Sequence, residues 1–214
     1  ALNEADLWPN DPADRAEARS LVAEMHSGFP ALRSVCPMNL RTAFSGIAIG
    51  TDVVNDLERL ATLWALPGAR EDGPWLYGSY TIADAFFAPV AARIAGYDLP
   101  VPKTARDYVE AHLNHGPFRR WRAMAFAADR HLANYEENGL ERTPWPGLTP
   151  IPAEAVTNGV AENTQCPYSG KPVASDSLAR IDGRIIGFCN PFCRDKSVAD
   201  PQAWPALTRL LAER

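Results

Sequence analysis

The chain is poor in lysine. Three lysines stand against eighteen arginines among 214 residues, and no basic run is longer than Arg119-Arg120. With a net charge of −5 it offers no cationic stripe, so no nucleic-acid partner is expected. No apolar run approaches the roughly 18 residues of a membrane span, so no membrane partner is expected either. Cysteine is scarce: four residues are too few for a secreted disulfide scaffold, and a cytoplasmic location is expected. No histidine follows His131, which removes the commonest nitrogen ligand from the last third of the chain. The first residue is Ala rather than Met, so a processed start or a piece of a longer chain is expected. What the chain does have is an apolar fraction of 46%, enough for a substantial core.

Helical periodicity fills the first 140 residues. Asp11 is a good N-cap, Pro12 suits the first helical position, and Leu21, Val22, Met25, Phe29 and Leu32 recur at helical spacing. A second helix is expected through "TDVVNDLERLATLWAL", with Val53, Val54, Leu57, Leu60, Ala61 and Trp64 on one stripe. "PGAREDGP" reads as a loop. "YTIADAFFAPVAARIAGY" is apolar nearly all round, as a central buried helix would be. Its start carries a capping box: Thr81 can accept from the N–H of Asp84, and the Asp84 carboxylate can reach back to the N–H of Thr81. A shorter helix follows in "PKTARDYVEAHLNH". A long one is expected in "GPFRRWRAMAFAADRHLANYEENG", with Phe118, Trp121, Met124, Leu132 and Tyr135 inward.

The texture changes near residue 140. Pro144, Pro146, Pro150 and Pro152 forbid a regular helix or a central strand, so residues 140–163 read as a Pro-rich linker. Beyond it, "LARIDGRIIGFC" is a hairpin signal around Asp182-Gly183. Helical pattern resumes after Asn190, and Pro201 is expected to start a last helix holding Trp204, Leu207, Leu210 and Leu211.

The run of "LWPNDPADRAEARSLVAEMHSGFPALR", the loop "CPMN", the box Thr81–Asp84 and the ending "YEENG" resembles the C-terminal helical domain of the glutathione S-transferase family. The resemblance spans residues 6–139, and "EMHSGFPALR" is similar to the bacterial, zeta-like branch. It implies a mostly α fold: a glutathione S-transferase C-terminal helical bundle over residues 1–139, followed after the linker by a small α+β hairpin-helix module over residues 164–214. It also implies glutathione as co-substrate, a small electrophilic substrate and a homodimer. The family's thioredoxin-like domain, which holds glutathione and supplies the activating side chain, is not in this sequence, and "ALNEAD" resembles the tail of that domain's last helix. The resemblance therefore supplies no catalytic residue. It makes this chain either the part of a transferase that builds the co-substrate pocket and dimer interface, or a binding or metal- or thiol-sensing protein on a transferase-like scaffold. Met25, His26, Phe29 and Arg33, expected along one strip of the first helix, are the candidate pocket wall. Plain core packing for Met25 and Phe29 and solvation for His26 and Arg33 are the competing reading.

Three of the four cysteines lie in the last 49 residues, with the spacing C-x22-C-x3-C over Cys166, Cys189 and Cys193. A hairpin can return Cys189 to where Cys166 enters, and a helical step of four puts Cys193 beside Cys189. Three thiolates would then converge, as a zinc site needs. A redox pair would have two residues between its sulfurs, and here there are three. "CPYSGKPV" with "DGRIIGFCNPFCRDKSVADPQAWP" resembles the small metal-binding modules called TRASH or YHS domains, over residues 164–206. Zinc is the expected metal. Cys36 is distant in sequence; Asp176, Asp195 or water could complete a tetrahedron, and the sequence names none of them. A metal-free module with three packed cysteines is the alternative.

Overall fold

In a computed structural model, residues 7–68, 73–128, 135 and 139–213 are described. They divide into two compact units, one of residues 1–113 with 133–146, the other of residues 114–132 with 147–214. The "ALNEAD" tail, the middle of the loop "PGAREDGP" and the expected inward position Leu132 lie outside the described residues.

In the first unit, α1 (Pro12–Ser27) starts where Asp11 accepts from the N–H groups of Ala13 and Asp14 at 2.9 and 3.0 Å. Asp11→Ala removes both bonds and is expected to cost about 1 kcal/mol, read from thermal melting of helical ellipticity. After α2 (Pro30–Val35), β1 (Ala43–Ser45) precedes α3 (Thr51–Ala65), which buries Val53, Leu57, Leu60 and Leu63. The helix α4 (Ile82–Gly96) is buried along most of its length, and its start is closed by the expected capping box. Asp84, fully buried, accepts from the N–H and the hydroxyl of Thr81 at 2.8 and 3.0 Å. Its other oxygen accepts from the Leu76 N–H at 3.1 Å and from the hydroxyl of Tyr108, on α5 (Lys103–Asn114), at 2.9 Å. Phe87, Val90 and Ile94 carry this helix into a core shared with Leu21, Leu60 and Phe44.

The second unit begins with α6 (Gly116–Ala127). The family resemblance places this helix in the transferase-like bundle; in the structure it packs on α7 (Pro191–Ala199). Arg119 forms a two-pronged ion pair with Asp200 at 2.7 and 2.8 Å, both side chains largely buried. Asp200 also accepts from the Ala203 N–H, capping a single 3-10 turn over Pro201–Ala203 before α8 (Pro205–Ala212). Tyr135, expected on an inner face, is 36% exposed.

The mostly α expectation, a transferase helical bundle with a small hairpin-helix module, is corrected by the strands. Among the described residues helix takes up 50%, in eight α-helices and one 3-10 turn, and five strands form two antiparallel sheets. In the first sheet, β1 pairs with β2 (Glu141–Thr143), Phe44 opposite Arg142. In the second, β3 (Ala153–Val156) joins the hairpin of β4 (Leu178–Ile181) and β5 (Arg184–Gly187) as its outer strand. The Pro-rich segment was expected to be irregular because proline has no N–H to give a ladder. Here the prolines bracket the strands: β2 stops before Pro144 and β3 starts after Pro152, so every paired residue keeps its donor. The hairpin turns as expected at Asp182 and Gly183, whose φ values of +49° and +82° suit a two-residue turn with both residues left-handed.

Candidate metal centre

The polypeptide around residues 163–189 is tied together by unusual means. The Asn163 side chain acts as a short strand. Its Nδ2 donates to the Gly187 carbonyl and its Oδ1 accepts from the Gly187 N–H, each at 2.8 Å. Gly187 also lets Val173 pack closely over this strand; a Cβ there would collide with Val173 Cγ1. Ala174 donates to the Phe188 carbonyl and Phe188 to that of Ser177, at 2.8 and 2.9 Å. The loop after Cys166 then closes on itself: the Cys166 N–H donates to the Lys171 carbonyl, and the Gly170 N–H to that of Cys166. Gly170 has φ +67°, the left-handed turn that lets so short a loop return.

These ties bring Cys166 beside the residues that leave β5. The sulfurs of Cys166, Cys189 and Cys193 all lie within 4.8 Å of one another, with Cys189 and Cys193 at 4.0 Å. Zinc–sulfur bonds of about 2.3 Å in a tetrahedron place sulfurs about 3.8 Å apart, so the three thiols match the donor spacing of such a centre. All four cysteines are free thiols. Cys36 is a buried core residue of the first unit, its thiol pushed up to about 11 by burial, with Arg93 acting the other way.

Asn190 caps α7, its Oδ1 accepting from the Cys193 N–H at 2.9 Å, while its Nδ2 donates to Cys189 Sγ at 3.1 Å. One side chain thus holds one sulfur directly and the backbone that carries another, as the second layer of a metal centre does. Burial pushes the Cys166 thiol up, but the N–H groups of Tyr168, Cys189 and Ser169 and the Ser169 hydroxyl point at it and bring it down to about 7. Burial pushes Cys193 up to about 11, helped by the charge of Cys166 and the hydrogen bond with Cys189. The Lys196 ammonium, held over the rings of Tyr168 and Trp204 at 4.1 and 4.2 Å, acts in the opposite sense on Cys193. It also opposes the net negative charge that three thiolates around a divalent ion would carry.

Among the described residues, no carboxylate or imidazole joins the three thiols. Asp195 pairs with Arg194 at 2.7 Å, and Asp176 accepts from the Ser177 hydroxyl at 2.9 Å. Sequence reasoning passed over Ser169, whose hydroxyl donates to Cys189 Sγ at 3.2 Å. The signal for it was the fragment "CPYSG", which places a donor three residues after a cysteine and a turn-forming glycine next to it.

The four residues expected to wall a substrate pocket do not share one helix, although Arg33 folds back onto the backbone of Met25 and His26. Only Met25 and His26 lie on α1, which ends at Ser27. Phe29 is left-handed at φ +62° and begins α2, so the single helical strip is broken there. Met25 and Phe29 belong to the hydrophobic core, and His26 is exposed. Arg33 donates to the carbonyls of Gly28 and Met25 at 3.0 and 2.6 Å, satisfying the open end of α1. A cavity of about 300 Å³ in this unit is walled by Trp64, Trp75, Leu76 and Tyr108 among others, and by none of these four.

No helix among the described residues is long and apolar enough to cross a membrane. No family model matches the chain, and no curated protein matches it significantly.

Proposed function

We propose that this chain is a metal-binding protein whose second unit takes up one zinc ion through the thiolates of Cys166, Cys189 and Cys193. The observation that carries the reading is the convergence of the three sulfurs within 4.8 Å, from positions with 22 and 3 residues between them in sequence. Soft thiolates select zinc, copper(I) or iron–sulfur clusters over magnesium or calcium. Three sulfurs plus an oxygen suit tetrahedral zinc, which has no geometric preference of its own to satisfy. Bound there, the ion would join the loop after Cys166 to the start of α7. Zinc in such a site contributes binding energy directly to folding.

The reading in which the chain conjugates a small electrophile with glutathione as part of a homodimer is not favoured by what Met25, His26, Phe29 and Arg33 do. Their contacts serve packing and helix closure.

The test is zinc stoichiometry and affinity of the reduced protein and of Cys166→Ser, Cys189→Ser and Cys193→Ser. One zinc per chain is expected, and each variant should bind at least about tenfold more weakly. Cys166→Ser should be as damaging as Cys189→Ser despite the separation in sequence. No uptake by the wild type at micromolar free zinc, or full affinity in Cys166→Ser, would leave three packed thiols and no metal site.

A further inference from the structure

Three thiolates leave one corner of a tetrahedron open, and the sequence offers Asp176, Asp195 or water without choosing among them. Resting on the zinc reading, we infer that the fourth donor is the Ser169 hydroxyl, which makes the site a closed S3O centre.

The geometry carries this. Ser169 Oγ stands 3.2 Å from Cys189 Sγ. In a tetrahedron with a zinc–sulfur bond of about 2.3 Å and a zinc–oxygen bond of about 2.1 Å, oxygen and sulfur sit about 3.6 Å apart. The same hydroxyl also reaches the Cys166 thiol. It therefore touches two of the three ligands. Its position is held by the backbone, since the Lys171 N–H donates to Ser169 Oγ at 3.3 Å within the closed loop that starts at Cys166.

The competitors are engaged elsewhere. Neither carboxylate joins the three-sulfur cluster: Asp195 pairs with Arg194, and Asp176 accepts from Ser177. The Asn190 side-chain oxygen already accepts from the Cys193 N–H, and the amide nitrogen beside Cys189 has no lone pair to offer a metal. On binding, the hydroxyl hydrogen now pointing at Cys189 Sγ turns outward and the oxygen lone pair faces the ion. Ser169 is exposed, so that hydrogen can turn to water. No charge is added by this ligand, and the thiols lose their protons to solvent.

The experiment is cobalt(II) titration of the full reduced chain, followed by the thiolate-to-cobalt charge-transfer band and the visible ligand-field bands. Zinc competition gives the affinities. The proteins are wild type, Ser169→Cys, Ser169→Ala, Asp176→Ala and Asp195→Ala, each checked by melting temperature without metal. Ser169→Cys puts a fourth sulfur on the same Cβ, so charge-transfer intensity should rise by about a third, from three thiolates to four. Its zinc affinity should rise at least about tenfold. Ser169→Ala should shift the ligand-field bands and weaken zinc by about 10–100-fold, while both Asp variants behave as wild type.

Unchanged charge-transfer intensity in Ser169→Cys, or a Ser169→Ala spectrum identical to wild type, would overturn the inference while leaving the three-thiolate site standing. A loss confined to Asp176→Ala or Asp195→Ala would assign the corner to that carboxylate. If the wild type binds neither cobalt nor zinc, the zinc reading fails and the fourth ligand fails with it.

Discussion

Asp84→Ala is expected to destabilise the first unit by about 3 kcal/mol or more, several times the loss expected at an ordinary helix cap. A capping box alone would cost about 1 kcal/mol, because the lost bonds are replaced by water. Here the carboxylate is completely buried and serves four donors. Its removal strands the N–H groups of Thr81 and Leu76 and the hydroxyl of Tyr108, and each stranded buried group costs roughly 1–3 kcal/mol. Tyr108 has no protonation escape. Burial and the adjacent Asp84 hold its phenol well above the ordinary range, so it remains a donor throughout the working pH range. Tyr108→Phe removes one donor and leaves the carboxylate three, so its cost should be near 1 kcal/mol. Asp84→Asn keeps the volume but turns an NH2 toward one pair of donors, and should fall between the two. Thermal and urea melts of the three variants order them. An Asp84→Ala midpoint within experimental error of wild type would show that the network contributes nothing beyond a solvated cap.

That network marks the limit of what the sequence made legible. Thr81 and Asp84 are three apart on one helix turn, so their reciprocal bonding follows from local geometry and could be read from "YTIAD". Tyr108 and Leu76 reach the same carboxylate from 24 and 8 residues away, and no local rule links them. The same division runs through the second unit. The Asp182-Gly183 turn and the convergence of Cys166 with Cys189 and Cys193 were legible, because turn chemistry and helical spacing are short-range. The third strand at Ala153–Val156 was not, because its apolar period is obscured by prolines that lie just outside it. The helix at Gly116–Ala127 is legible as a helix, but what it packs against is not. Its amphipathic pattern says that one face is buried; it does not say against what. The Arg119–Asp200 pair that decides the matter spans 81 residues. Nor could the strip of Met25, His26, Phe29 and Arg33 be trusted, since a left-handed Phe29 interrupts a periodicity that reads as continuous.

Zinc affinity is expected to fall by at least three orders of magnitude between pH 8 and pH 6 from Cys166 and Cys193 alone, far more than any single substitution outside the ligands would cause. Metal binds the thiolate, so each ligand protonated in the free protein must release a proton, and affinity falls about tenfold per pH unit for each such proton. Cys193, held at about 11 chiefly by burial, is protonated at both ends of this range and contributes a factor of about 100. Cys166 behaves differently. Burial alone would raise it, but the N–H groups of Tyr168, Cys189 and Ser169 bring it to about 7. It is mostly ionised at pH 8 and mostly protonated at pH 6, which adds a factor of about ten. The sign is fixed by both groups: protons compete with metal, so acid releases zinc and alkali retains it. The slope should also change within the range, steepening as the pH falls through about 7, where Cys166 begins to take up its proton. Isothermal titration in buffers of different ionisation enthalpy counts the protons directly, and the count should be larger by nearly one at pH 6 than at pH 8. Cys166→Ser removes the group that titrates in this window, so the residual binding of that variant should show a constant slope across pH 7. A wild-type affinity independent of pH would mean that thiolates are not the ligands, and an unbroken slope would mean that the loop donors around Cys166 do not hold its sulfur as a thiolate.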